Sequence, residues 1–331
     1  MNYLDLKDKK LITLLHRNSR AKLHELAAEL KLSKNSVKYR IERLQEKGYI
    51  LRFIPIIDYN KIHYSTYDLF IKLKMRKEQE HLLIEHLKNN PKVLWACTLF
   101  GEWDLFVQFV TKSFYDFYNT DLTLFLKKFG QFIDDYEIKI AVKRLRLQHG
   151  VPEYLPLVKE PPLLEKKINY SQPTELSLID LKLLHALSQN ARASFQELGQ
   201  NIGESLETTR NHFNRLIKEG VLTGFTLNFE DTKIGYVGYL SFIRFHNFEK
   251  EEEFRQFILT KPEIKLALKN GNVPEIYLLI STRSPYELES LVKEIKDRFY
   301  ITVHEITTMT ITNEFKVEMF PEGLITEEKD K

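Results

Sequence analysis

The stretch LSKNSVKYRIERLQEKGYI, residues 32–50, gathers Lys34, Asn35, Ser36, Lys38, Tyr39, Arg40 and Arg43 on one short segment, with Arg52 just beyond it. These residue types suit a double-helical polyanion. Asn matches the edge of adenine and Arg or Lys that of guanine, while flanking cations hold phosphates. Asn35, Lys38 and Tyr39 are expected at or near base edges, and Lys34, Arg40, Arg43 and Arg52 nearer the backbone. Ser36, with the free amides at a helix start, suits a phosphate. The competing reading is a solvated helix face, the usual meaning of a charge run.

Positioning such a face requires a helix fixed on its other side. Val37, Ile41 and Leu44 fall at i, i+4 and i+7 and form that stripe, leaving Lys34, Asn35, Lys38, Tyr39 and Arg43 turned outward. Two more helical patterns precede it, at 6–16 and 23–30, and the third runs over 34–47. Asp5 and Ser33 are N-cap residues, Gly48 ends the third helix, and 49–57 reads as an extended wing. The pattern is a winged helix-turn-helix.

Sliding the sequence by 172 aligns residues 8–53 with 180–225 without a gap and gives 14 identities in 46 positions, where chance gives about three. The chain is two tandem copies of one unit. In the second, Ser194 with Glu197 makes a capping box. Its third helix carries Arg210 and Arg215 but has Glu207 in place of Asn35. Residues 33–47 hold five cations and two anions, net +3, against three and two, net +1, over 205–219. A carboxylate at the helix start suits the dipole and repels phosphate. The second head is therefore expected to bind more weakly, with Arg210 and Arg215 as its contacts.

After each head comes a run of strand, helix, two strands, helix and strand. In the first copy these are YDLFIKLKM at 67–75, a helix ending before Pro91, VLWACTLF and WDLFVQFV hinged at Gly101, a helix with Phe114, Phe117, Leu122 and Phe125, and a last strand at 136–142. The order βαββαβ is ferredoxin-like. The second copy repeats it at 236–244, 251–259, 264–268, 275–281, 285–298 and 301–311. The fold class is α+β, a tandem repeat of winged helix-turn-helix plus ferredoxin-like domain. The expected domains are 1–60 and 176–234 for the heads, 61–150 and 235–320 for the ferredoxin-like modules, a proline-rich linker at 151–175 and a tail at 321–331.

A winged helix-turn-helix followed by βαββαβ, with LDLKDKKLITLL, ELAAELKLSKNSVKYRIERLQEKGYI and FGEWD in order, resembles the leucine-responsive and asparagine-regulatory (Lrp/AsnC) family of transcription regulators. The resemblance covers about 1–147 and 176–318. It implies that the first domain binds double-stranded DNA and the second mediates dimerisation, often with an amino-acid effector. It also makes Gly101 and Asp104 candidate effector-binding residues, since the family has a Gly-x-x-Asp turn there. The plainer reading of that turn is a tight hairpin in which Gly is wanted sterically. Two copies in one chain depart from the family, leaving open a homo-oligomer or an internal pseudo-dimer.

Composition excludes other classes. With 43% hydrophobic and 29% charged residues in 331, the chain is globular and large enough for several cores. No window approaches 18 consecutive apolar residues, so no membrane partner is expected and the chain is placed in the cytoplasm. Cys97 is the only cysteine, which excludes an intramolecular disulfide and a four-cysteine zinc site. No cofactor or metal is expected, and no catalytic residues, so the chain is read as a non-enzyme. HLLIEH at 81–86 spaces its histidines five apart, on different helix faces. The alternatives on the same fold are a siroheme decarboxylase-like enzyme and a sensor that does not bind DNA. Siroheme decarboxylases resemble one another by His and Arg in the middle strands of the second domain, where VLWACTLF and IKLALKN have neither.

Overall fold

In chain order the computed structural model runs α1 (Leu6–Arg17), α2 (Leu23–Leu30), α3 (Lys34–Glu46), β1 (Ile50–Ile57), β2 (Ser65–Leu73), α4 (Lys77–Lys88), β3 (Val93–Phe100) and β4 (Leu105–Thr111). Next come α5 (Phe114–Asp116), α6 (Thr123–Phe129), β5 (Ile133–Lys139) and β6 (Ala141–Leu147). The second copy follows with α7 (Leu178–Gln189), α8 (Phe195–Ile202), α9 (Leu206–Lys218), β7 (Leu222–Phe229), β8 (Val237–Phe245), α10 (Glu251–Leu259), β9 (Ile264–Asn270), β10 (Glu275–Thr282), α11 (Pro285–Arg298), β11 (Val303–Val317) and α12 (Gly323–Lys329). The structure describes residues 4–147, 150–157, 174–247, 249–271 and 275–329. Most of the expected linker, residues 272–274 and the last two residues of the tail lie outside them.

Like modules cluster with like. Residues 1–61 and 148–235 form one compact unit and 62–147 and 236–331 the other. In the first unit the local signals act as their chemistry requires. Asp5 accepts from the Asp8 amide at 2.7 Å, Ser33 caps α3 through the Ser36 amide, and Ser194 with Glu197 closes its capping box. Gly48 turns the chain at φ +66°, a conformation that suits glycine. Val37, Ile41 and Leu44 are buried against the first two helices. Of the expected linker, 151–157 folds back on α1: Tyr154 is buried, and its carbonyl accepts from Thr13 Oγ1 at 3.2 Å.

The wing is extended, as expected, and it is also paired. β1 pairs antiparallel with β7, its counterpart in the second copy, so each covers the other's edge. Around this seam the contacts are reciprocal. Ser19 N donates to Phe225 O at 3.0 Å, and Ala191 N to Phe53 O at 2.8 Å. Asp58 N reaches Val221 O and Glu230 N reaches Tyr49 O, at 3.0 and 2.9 Å. Every pair is the 172-residue translation of its mate, so the two heads form a pseudo-two-fold dimer within one chain.

The second unit is one antiparallel sheet of order β5-β2-β4-β3-β11-β8-β10-β9-β6. Each copy contributes four strands in the ferredoxin-like order 4-1-3-2. The expected strands at 136–142 and 301–311 are too short, because the fourth strand serves both copies. In the second copy β11 pairs first with β8 and then with β3 of the other copy. The first copy does the same in two pieces joined at Ile140, β5 on β2 and β6 on β9. Each half-sheet buries its own apolar cluster under its helices, and a third cluster joins Phe70, Cys97, Phe106, Leu240, Phe242 and Tyr277 from both copies. Burial, with Glu314 nearby, pushes the Cys97 thiol well above its ordinary range.

Candidate nucleic-acid interface

α3 turns Lys34, Asn35, Lys38 and Tyr39 to solvent, and Tyr39 is 63% exposed. Lys38 pairs with Glu42, at 3.7 Å one turn on, and both remain exposed. Ser36 is half-buried and shares a 2.9 Å hydroxyl contact with the cap Ser33.

Arg40 and Arg43 do something else. Both were expected nearer a phosphate backbone, with Arg43 turned outward; in the structure their guanidinium groups are held by carboxylates at the start of α1. Arg40 donates to Asp8 at 2.6 Å and Asp5 at 2.8 Å, and Arg43 to Asp8 at 2.5 Å. Asp8 is 1% exposed, and a carboxylate so buried requires paired charge. Burial works against the Arg40 cation, yet Asp5 and Asp8 raise its pKa. Burial likewise works against the Asp5 carboxylate, but the Asp8 amide and Arg40 hold it below its ordinary range. These arginines lock α3 onto α1 and orient the exposed face. The signal was in the repeat: Asp8/Asp180 and Arg43/Arg215 are identities.

The second head repeats the lock with one change. Asp180, wholly buried, accepts from Arg215 and lies 2.8 Å from His212 Nδ1, so histidine stands where the first head has Arg40. Arg215, expected as a contact, is thereby paired with Asp180 while its side chain stays 38% exposed. Arg210 is exposed, its guanidinium 5.6 Å from the Phe195 ring centroid. Glu207 is exposed in the first turn of α9. Arg52 lies half-buried on β1 opposite Asn228, within the paired wings.

Gly101 and Asp104 have structural employment. At φ +152° a Cβ on Gly101 would meet Met309 Cγ at 2.8 Å, so the side chain of the other copy fills the space that the glycine opens. Asp104 accepts from the Leu73 amide at 2.7 Å, and its backbone pairs with Leu99 and Ile71. In the 81–86 motif, His86 meets Lys128 Nζ at 3.1 Å and packs on Phe129. Among the described residues no helix is long and apolar enough to cross a membrane.

A family model described as winged helix-turn-helix DNA-binding matches residues 4–50 and 176–223. The HTH-type transcriptional regulator Ptr1 of Methanocaldococcus jannaschii is 43% identical over 130 residues, which is 39% of this chain and 85% of that protein. The HTH-type transcriptional regulator FL11 of Pyrococcus horikoshii is 30% identical over 110 residues, 33% of this chain and 72% of its own. Each match spans about one of the two copies. The siroheme decarboxylase NirDL has a similar fold, with a TM-score of 0.65 at 14% identity over 98% of this chain and 97% of that one.

Proposed function

Because the chain belongs to the Lrp/AsnC family of transcription regulators, we propose that it binds double-stranded DNA as an internally paired regulator whose two heads contribute unequally. The observation that carries this reading is the exposed face of α3, where Lys34, Asn35, Lys38 and Tyr39 project from a helix locked underneath by Asp8. Asn35, Lys38 and Tyr39 act at base edges, and Lys34 and Ser36 at phosphates. On the second head Arg210 remains as a cation while Glu207 repels phosphate, so the first head supplies most of the affinity.

The paired wings make one chain carry both heads, and the heads differ, so a single chain reads an asymmetric site. The ferredoxin-like halves hold the two copies together. An amino-acid effector at Gly101 and Asp104 requires Met309 to move aside. Such a regulator acts in the cytoplasm and catalyses nothing.

The test is a fluorescence anisotropy titration on a duplex from upstream of its own gene. Lys38→Glu should weaken binding at least tenfold more than Arg210→Glu; equal losses would refute the unequal heads. A second reading, a siroheme decarboxylase-like enzyme, is favoured by the fold shared over 98% of the chain. An absorbance titration with siroheme separates the two, because a saturable Soret shift belongs only to that reading.

A further inference from the structure

The two half-sheets are equivalent in register but opposite in character where they meet. Asp68 pairs across to Gln108 and Lys139; the same positions in the second copy are Leu240, Leu279 and Met309. One side of the pseudo-two-fold axis is therefore polar and the other apolar. On the polar side the Lys139 ammonium, with its side chain 3% exposed, lies 2.8 Å from Glu275 of the other copy, also 3% exposed. Glu137 at 2.9 Å and the Phe242 ring, 4.6 Å away, complete its surroundings. Asn270 donates to Glu275 at 2.7 Å, and Arg244 stands 3.9 Å from it. Gln108 donates to Asp68 at 2.8 Å, and the buried Tyr277 hydroxyl lies close to Asp68 without completing a hydrogen bond of good geometry.

On the apolar side the equivalent contact is Met309 against Gly101, while Asp104, the register equivalent of Glu275, turns to the Leu73 amide. Consider each half-sheet facing a copy of itself. Two second halves would set Glu275 against Met309, leaving the buried carboxylate with Asn270 at 2.7 Å and Arg244 at 3.9 Å from its own half but without the close ammonium of Lys139. Two first halves would set Lys139 against Asp104, one methylene shorter and already bonded, and Asp68 against the Phe106 ring where Tyr277 now stands. Buried charges stripped of a partner are strongly unfavourable, whereas replacing a whole pair by apolar groups is tolerated.

We propose that the inter-sheet face of each half accepts the other half and rejects a copy of itself, with Lys139 and Glu275 as the deciding pair. The partner this surface fits is a complementary half-sheet, from the same chain or from a second one. The pair thus serves partner choice in the way buried polar groups fix register in coiled coils.

The full chain tests this by complementation. Lys139→Glu and Glu275→Lys are made in two chains with different affinity tags. Expressed together, they can satisfy every buried charge only by exchanging halves, and the doubly tagged product should exceed that of either variant paired with itself by at least tenfold. Each variant alone should melt well below the parent chain, and the two changes in one chain should restore melting. Lys139→Met with Glu275→Leu should melt within a few degrees of the parent. Absence of a cross-chain product, failure of the double exchange to restore melting, or collapse of the apolar pair would each overturn the proposal.

Discussion

Arg20 and Arg192 exchange places across the head seam: Arg20 donates to the Ala191 and Ala193 carbonyls of the second head, and Arg192 to those of Ser19 and Ala21 in the first. Arg20 also lies 4.9 Å from the Phe213 ring centroid, and Arg192 5.4 Å from that of Phe53. Burial lowers the pKa of both guanidinium groups, and for Arg20 the charge of Arg192 adds to it. A planar cation with five donors can satisfy several carbonyls while stacking on an aromatic face, which an ammonium cannot. Arg20→Ala should therefore lower stability by about 2 kcal/mol, from two lost hydrogen bonds and the ring contact. Arg20→Lys should recover less than half of that in denaturant melts; full recovery would mean that charge alone matters.

The Asp8 lock separates structure from recognition. Asp8→Ala leaves Arg40 and Arg43 without their anion. Removing one member of a fully buried pair costs about 3–5 kcal/mol, and the 19% and 29% exposure of these arginines lets water repair part of it, leaving about 2–3 kcal/mol. Chemical denaturation followed by the near-ultraviolet signal of the first head measures this. A change within about 0.5 kcal/mol, the range of ordinary surface substitutions, would remove Asp8 from the role assigned to it.

Salt dependence distinguishes a phosphate contact from a structural cation. Log affinity falls against log salt with a slope of about 0.9 for each phosphate neutralised. Lys34→Ala should reduce the slope of DNA binding by about one. Arg43→Ala should destabilise the head while leaving the slope per folded molecule unchanged, because its guanidinium is spent on Asp8. Titrations at four salt concentrations decide between these outcomes.

Much of this was legible from residues alone. The stripe of Val37, Ile41 and Leu44, the caps Asp5 and Ser33 and the 172-residue repeat each report a local constraint, and local constraints survive in one dimension. What was not legible is non-local. Arg40 and Arg43 lie at the margins of the apolar stripe, where a cation can face either water or a buried anion 32 or 35 residues upstream, and helical periodicity does not choose. The pairing of β1 with β7 joins segments about 170 residues apart, and nothing in an isolated extended run names its partner. β11 runs for 15 residues and changes partner near Thr310, where the expected strand of 301–311 stops; an extended run with irregular spacing does not say that it continues onto a second copy. Lys139 and Glu275, 136 residues apart, carry no local signal of the pair that the fold makes of them.

Cys97 should be inert while the sheet is folded. Its thiol is 0% exposed and its pKa raised by burial and Glu314, so the reactive thiolate is scarce and out of reach. Alkylation by iodoacetamide at pH 8 should proceed at least a hundredfold more slowly than in denaturant. A native rate close to the denatured one, read by mass spectrometry, would show that β3 opens readily.

Asp68 predicts the direction of the pH dependence. Burial pushes its carboxyl up to about 6, and Gln108, Tyr277 and Lys139 offset only part of that. In the unfolded chain the same group titrates near 3.9. The folded state therefore holds a proton that the unfolded state releases between roughly pH 4 and 6, and over that window stability falls as pH rises. Below about pH 4 both states are protonated and the contribution of this residue is fully present; above about pH 6 it is lost, a difference of about 3 kcal/mol from a shift of about two units. Asp68→Asn keeps the shape, accepts from Gln108 and does not titrate. Its melting temperature relative to the parent chain should rise steadily from pH 4 to 6 and then level. A difference between the two chains that stays constant across that window would show that Asp68 titrates alike in the folded and unfolded states.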